Sequence, residues 1–418
     1  MANTLELGNG KWATGKDTVL AFNDENNNFK PLPFSFSRAS SGTVVNKDGL
    51  IETVGSGEPR IDFKDNTKGA LLLEPSRSNI VIYSEAFDNS YWNKSSSSVL
   101  GGFASPSSDS PLSAFKIVED TSTTLHEMWA GVTGAVAGSD FAYSVFAKKG
   151  ERDKFYVGDG SAGSTESYFD LTNGTVLYSG ANTNGSFIED YGNGWYKCTS
   201  VYDRNNTTRP MTIGLLENSY TTGTRTHYTG DGTSGIYIYG AECEQGSYAT
   251  SYIPTSGGAV TRVEDVCNNG GNNQVINSTE GVLYAEISAL VDGGDTRGIS
   301  LFDAANNRIT LTLHSTTNRV QFFIAINGYV NTVDLDATDI IQTDINKIAC
   351  KFKANDYALW INGIEKDTDT TQSSTIQGGA LNSLDLDING NADFYGKIKD
   401  LRIYNTALTD AELQALTQ

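Results

Sequence analysis

The chain has 418 residues, with 30 lysines and arginines against 50 aspartates and glutamates, and a formal net charge of −20. At ~100–200 residues per domain this length holds several domains, and a hydrophobic fraction of 38% supplies their cores. So acidic a surface repels phosphate backbones and anionic headgroups, which disfavours nucleic-acid binding, and no run approaches the ~20 apolar residues of a membrane helix.

Residues 1–90 read as an irregular, extended segment of short pieces between turn residues. The opening Met1-Ala2-Asn3-Thr4-Leu5-Glu6 lacks a basic stretch followed by an apolar core, so no secretory signal is expected. A Ser/Gly/Pro-rich stretch runs from Ser95 to Pro111. Residues 112–266 then carry dense alternating runs such as Phe141-Ala142-Tyr143-Ser144-Val145-Phe146 and Ile236-Tyr237-Ile238-Tyr239. Period-two patterns rich in aromatic and β-branched residues predict β-sandwich strands, and Asn173-Gly174 predicts a hairpin. Cys267-Asn268-Asn269-Gly270-Gly271-Asn272-Asn273 reads as a linker, because Asn and Gly supply turn conformations at low cost. Residues 274–418 form a second strand-rich block, with Val282–Ile287, Ile309–Leu313 and an Asn362-Gly363 hairpin. One short helix closes the chain, with Thr409 and Glu412 spaced as a capping box and Leu408 and Leu413 around it. The expected fold is all-β: two jelly-roll or sandwich domains in tandem, preceded by an irregular N-terminal segment.

Through Asn346-Lys347-Ile348-Ala349-Cys350-Lys351-Phe352 with Tyr357-Ala358-Leu359-Trp360-Ile361-Asn362-Gly363, and Phe394–Asn405 running on into Thr406–Leu413, the last block resembles laminin-G/concanavalin-like domains. The resemblance implies a two-sheet jelly roll. The middle block resembles carbohydrate-binding modules through Gly235–Glu244, Ala249-Thr250-Ser251-Tyr252-Ile253-Pro254-Thr255 and Thr261-Arg262-Val263-Glu264-Asp265. Through Phe36–Thr43, Asn46–Glu52, Pro59–Phe63, Leu71–Asn79, Tyr83–Phe87 and Tyr91-Trp92 the N-terminal block resembles a leader of phage tail-fibre and head-fibre proteins.

Chemistry-bearing patterns are sparse. No E-x-D-x-x-E strand motif, G-x-S-x-G elbow, H-E-x-x-H or phosphate-binding Gly-Lys-Ser/Thr loop occurs, and His126, His227 and His314 are scattered. No catalytic residues are therefore assigned, and the protein is expected not to be an enzyme. Asp385, Asp387, Asn389 and Asp393 match the opening of a calcium loop, but Gly396 stands where its bidentate glutamate belongs. The alternative is an ordinary strand with Leu384, Leu386 and Ile388 buried and the aspartates in water. Cys198, Cys243, Cys267 and Cys350 form no CxxC pair and read as buried apolar residues, with a Cys198–Cys243 disulfide left open. Trp195 and Trp360 fall in core patterns. Trp129 and Tyr228 are the candidate sugar-stacking aromatics.

These readings imply a bacteriophage virion structural protein, a head fibre, capsid decoration or tail appendage on the outer surface of the particle. Residues 1–90, with Trp12, Phe34, Phe36 and Arg38, would attach to other virion proteins. The sandwiches would bind host-surface polysaccharide, and a homo-oligomer is expected from virion symmetry. A polysaccharide depolymerase and a secreted bacterial adhesin are the competing readings.

Overall fold

In a computed structural model, residues 3–22, 32–134, 136–204, 209–303, 306–388 and 390–418 are described. The chain is all-β with one helix, Asp410–Thr417, among these residues. It divides into two compact units. A C-terminal unit contains 1–41, 54–75 and 263–418, and a central unit contains 42–53 and 76–262.

The C-terminal unit is a sandwich. One sheet carries, in order, Ile364–Asp369, Tyr357–Ile361, Asn346–Lys353, Glu280–Ala289, Gly396–Tyr404, Ala70–Leu73 and Arg60–Asp62. Strand Leu5–Gly8 also joins Gly396–Tyr404, with Leu5 opposite Ile403 and Gly8 opposite Asp400. The other sheet is Tyr329–Ala337, Val320–Ile326, Arg308–Leu313, Arg297–Phe302 and Ser383–Asp385. Alternation sends Leu283, Ala285, Ile287, Ile299, Leu301, Ile309 and Leu311 into the shared core, as side chains two apart on a strand share a face. Beneath the helix, Trp360 packs with Leu408 and Leu413 rather than between the sheets. At the helix start, the Glu412 carboxylate accepts hydrogen bonds from the Thr409 N–H at 2.9 Å and the Thr409 hydroxyl at 2.7 Å, so the predicted capping pair is formed.

The three-segment division expected above is revised. The described residues of 1–41 and 54–75 belong to the C-terminal unit, to whose sandwich Leu5–Gly8, Arg60–Asp62 and Ala70–Leu73 add strands, while 42–53 and 76–90 belong to the central unit. Leu5, Leu7, Phe34, Phe36, Leu71 and Leu73 share one core cluster with Leu283 and Ile398. The supposed linker is folded too. Val266–Asn268 pairs with Leu32–Ser37, the Asn269 N–H donates to Asp385 at 2.6 Å, and a Cβ on Gly270 would lie 2.1 Å from the Phe34 ring. Glycine stands there for close packing, not for a turn between domains.

Buried charge fixes this arrangement. Arg38 Nη1 donates to Asp265 at 3.0 Å, and Arg60 donates to Glu74 at 2.6 Å and to Asp265. Arg38, Arg60 and Asp265 have wholly buried side chains. Arg38 also donates to the carbonyls of Ser40 and Gly55.

The central unit is a second sandwich. Its first sheet is Trp92–Ser95, Glu127–Val132, Arg209–Leu216, Lys154–Gly158, Ser167–Asp170 and Thr175–Ser179. The second is Ser97–Phe103, Ala114–Glu119, Gly235–Gln245, Ser139–Lys149, Trp195–Arg204 and Thr183–Asp190. Met128, Ala130, Phe141, Tyr143, Phe155, Phe169, Ile213 and Ile238 fill the core between them. On the outer face of the second sheet, Trp195 packs with Phe146, Tyr239 and Tyr252. There the Lys197 ammonium donates to Glu242 at 3.0 Å and to the Thr250 carbonyl at 2.5 Å. Glu242 accepts from the Ile253 N–H, and Glu244 from the Thr250 N–H, both at 2.8 Å. The Glu-Cys-Glu run thus pins the Thr250–Ile253 segment to the sheet.

All four cysteines are free and buried. Cys198 lies opposite Val145 and Cys243 opposite Tyr143, on the two flanks of strand Ser139–Lys149. Two strand spacings, ~9.5 Å, exceed the reach of a disulfide.

Candidate functional site

Strand Glu127–Val132 sets the site. Met128, Ala130 and Val132 point into the core, so Glu127, Trp129 and Gly131 face outward on the first central sheet. Trp129 stands opposite Asn93 on one side and Thr212 on the other. It is half-buried and keeps part of its indole in solvent.

Next along this face, Glu127 lies opposite Gly214, which lies opposite Tyr156. A Cβ on Gly214 would sit 2.1 Å from the Tyr156 ring. The missing side chain lets the phenol cross that strand and donate to Glu127 Oε2 at 2.5 Å. The Arg225 guanidinium lies over the Tyr156 ring, 4.6 Å from its centroid. Its Nη1 donates to Glu127 Oε2 at 2.5 Å and to the Tyr156 oxygen, and its Nη2 to the Gly160 carbonyl at 2.9 Å. Nη2 also lies 3.2 Å from Glu166 Oε1.

The rest of the face is closed. The Tyr168 hydroxyl donates to Glu166 at 2.7 Å, and Tyr220 stacks on Tyr168 at 5.5 Å and 11°. Glu166 is fully buried, and burial raises its pKa despite the Arg225 charge. Burial likewise pushes the Tyr156 phenol well up. The sheet face therefore has an open half around Trp129 and Glu127 and a closed half over Tyr156 and Tyr168. Arg225 comes from an irregular loop, so strand periodicity could not find it; its only sequence signal is a cation in an acidic chain.

Tyr228, expected as a sugar platform, is buried. Its hydroxyl donates to Glu119 at 2.7 Å, Arg152 lies over its ring at 5.2 Å, and His126 meets it edge-on at 4.6 Å. Buried Glu119 requires these donors and those of Arg152, so Tyr228 has no free ring face and is removed as a glycan contact.

The aspartates of the calcium-loop string are each engaged by hydrogen bonds within the chain. Asp385 accepts from the Asn269 N–H and the Ser383 hydroxyl. Asp387 accepts from the Asn268 amide at 2.8 Å and the Gly390 N–H at 3.0 Å. Asp393 accepts from the Tyr395 hydroxyl. Asn389 lies outside the described residues. Among the described residues no group of three His, Cys, Asp or Glu side chains could hold a metal. The aspartates of the strand reading do not face water either: Asp385 and Asp387 are buried. Burial and the neighbouring Asp387 raise the Asp385 pKa.

Of the attachment residues, Phe34 and Phe36 are core and Arg38 is locked on Asp265. Their burial leaves no surface for a partner. Trp12 is half-buried, packs on the same core and donates its indole N–H to the Lys68 carbonyl at 2.8 Å.

No curated protein matches the chain. Among solved structures, the CBM40 of the Ruminococcus gnavus IT-sialidase bound to α2,3-sialyllactose is 16% identical, covering 36% of this chain and 94% of that one, with a TM-score of 0.31. Domain 4 of AbnA, a GH43 extracellular arabinanase from Geobacillus stearothermophilus, in complex with arabinotriose, is 20% identical over 41% and 82%, with a TM-score of 0.31. Domains LG4-5 of the mouse laminin α1 chain are 11% identical over 69% and 92%, with a TM-score of 0.23. Residues 285–414 match the family model described as the concanavalin A-like lectin/glucanases superfamily, so the C-terminal sandwich carries a laminin G-like, concanavalin A-like domain, as its closing strand and capped helix implied.

Proposed function

We propose that this protein is a non-catalytic glycan-binding structural component of a bacteriophage virion, and that the open half of the central sheet holds a host-surface sugar. The observation that carries the glycan reading is the half-exposed Trp129 indole beside a fixed carboxylate. An aromatic face packs on the C–H face of a sugar ring. The bonds from Tyr156 and Arg225 go to Glu127 Oε2, which leaves Oε1 to meet a sugar hydroxyl. Asn93 adds an exposed amide in the same row. Tyr156 and Arg225 hold Glu127 before any ligand arrives, which lowers the ordering cost of binding.

Burial supports the non-catalytic part. Glycoside hydrolysis needs two carboxylates flanking the ligand, and of the two that Arg225 holds, Glu166 is wholly buried. The virion part rests on the resemblance of the first 92 residues to phage fibre leaders. Those residues build the two units, so attachment falls to a folded surface rather than to a free leader, and deleting 1–90 would dismantle the C-terminal sandwich instead of releasing it. The test is a host-polysaccharide array probed with the full chain, with reducing-end release assayed in parallel. Binding without release is expected. Absence of binding, or release of reducing ends, would overturn the reading.

A further inference from the structure

The roof over the closed half of the central sheet is itself aromatic. Phe169 and Leu171 point into the core, so Tyr168 projects from the same outer face as Trp129. Tyr220, from the irregular stretch that also supplies Arg225, stacks on Tyr168 at 5.5 Å and 11°. One face of the Tyr220 ring is thus turned to the sheet. Tyr168 is wholly buried, whereas Tyr220 keeps part of its surface in solvent. That surface therefore lies on the side away from the sheet. The Tyr220 hydroxyl donates to the Gly223 carbonyl in its own loop, a bond made at the ring edge that holds the ring without crossing its face. Half-buried Leu177 and Tyr178 pack on the same cluster.

The sheet sets the distance between the two accessible rings. Glu127 lies opposite Gly214, Gly214 opposite Tyr156, and Tyr156 opposite Tyr168. Three strand spacings, ~14 Å, therefore separate the strand of Trp129 from the strand beneath Tyr220. A pyranose, a six-membered ring of ~1.5 Å bonds, covers about a third of that span. One sugar cannot touch both rings, but a chain laid across the strands can, passing the Glu127 carboxylate and the Arg225 roof on the way.

We propose that the glycan site has two aromatic platforms, Trp129 and Tyr220, and takes a run of about four sugar units lying across the strands rather than a single sugar. The choice of a glycan rests on the reading above; the length of the run rests on the spacing of the two rings.

The test titrates the full chain calorimetrically with a ladder of oligosaccharides, from disaccharide to octasaccharide, cut from a polysaccharide bound in the array. Wild type, Trp129→Ala, Tyr220→Ala and Tyr220→Phe are compared, with thermal melts to establish folding. Wild-type affinity is expected to rise by about tenfold or more between disaccharide and tetrasaccharide, the scale of a second stacked ring, and to level off at longer lengths. Tyr220→Ala removes that rise and leaves disaccharide binding unchanged, Tyr220→Phe keeps the rise, and Trp129→Ala weakens every length. Equal wild-type affinity along the ladder, or a rise that survives in folded Tyr220→Ala, overturns the two-platform site. The glycan reading stands in either case if Trp129→Ala still weakens binding. A rise that follows Tyr220 while Trp129→Ala changes nothing also overturns the span between the two rings. If no polysaccharide or oligosaccharide binds, the glycan reading itself falls, and this site with it.

Discussion

Replacing Asp265 with alanine tests whether the N-terminal strands are part of the C-terminal sandwich. Asp265 accepts from both Arg38 and Arg60 and has no solvent-exposed side-chain surface. It also accepts the Glu74 N–H at 2.9 Å. Glu74 remains to hold Arg60, whereas Arg38 loses its bond to the Asp265 carboxylate and retains those to the Ser40 and Gly55 carbonyls. Removing one partner of a buried ion network leaves charge uncompensated in low dielectric and costs ~3–5 kcal/mol. At ~2–4 °C per kcal/mol for a unit of this size, Asp265→Ala lowers the melting temperature of the C-terminal unit by about 6–20 °C. Hydrogen exchange read by mass spectrometry locates the loss in strands Leu5–Gly8, Arg60–Asp62 and Ala70–Leu73. Asp265→Asn, which keeps the shape and loses the charge, falls between wild type and alanine. A shift of under ~1 °C for Asp265→Ala, or unchanged exchange in those strands, would refute the reasoning.

Three further outcomes are expected. Leu413→Ala opens a cavity against Trp360 and costs ~2–4 kcal/mol, read as lost exchange protection over Asp410–Thr417. Burial, with the Glu244 charge beside it, pushes the Glu242 carboxyl from 4.5 up to about 8. The folded state therefore binds the extra proton between those two values, stability of the central unit falls as pH rises through that window, and Glu242→Gln flattens the slope in melts taken across it. The native thiols resist a soluble disulfide reagent and all four react after unfolding, because burial pushes the Cys198, Cys267 and Cys350 thiols up; a disulfide recovered from native protein would contradict the strand register.

Local patterns carried the parts of the fold that local interactions build. The strand alternation of Phe141–Phe146, the Asn362-Gly363 turn and the Thr409–Glu412 pair each occupy a few consecutive residues, and each stands as read. The division into units was not legible, because Leu5 pairs with Ile403 and Phe36 with Cys267 across most of the chain. The irregular-looking leader and the Asn/Gly-rich stretch therefore each contribute strand residues, Leu5–Gly8 and Cys267–Asn268 among them, whose partners lie far away in sequence. Trp129 lacks a core pattern in the sequence and lies half-buried on the outer face of its sheet. Tyr228 is buried instead, and nothing in its two-residue strand signals that the buried Glu119 claims its hydroxyl. The roles of Arg225, Tyr156 and Gly214 depend on three strands and a loop converging, which no single segment encodes.

The measurement that bears most directly on the glycan claim is the affinity of Trp129→Ala for a host polysaccharide bound by the full chain, with folding verified by its melt. Truncating a stacking aromatic removes ~1.5–3 kcal/mol of buried apolar contact, so the dissociation constant rises on the order of tenfold or more while the melting temperature holds. An unchanged dissociation constant in folded Trp129→Ala would contradict the assignment of this sheet face as the glycan site.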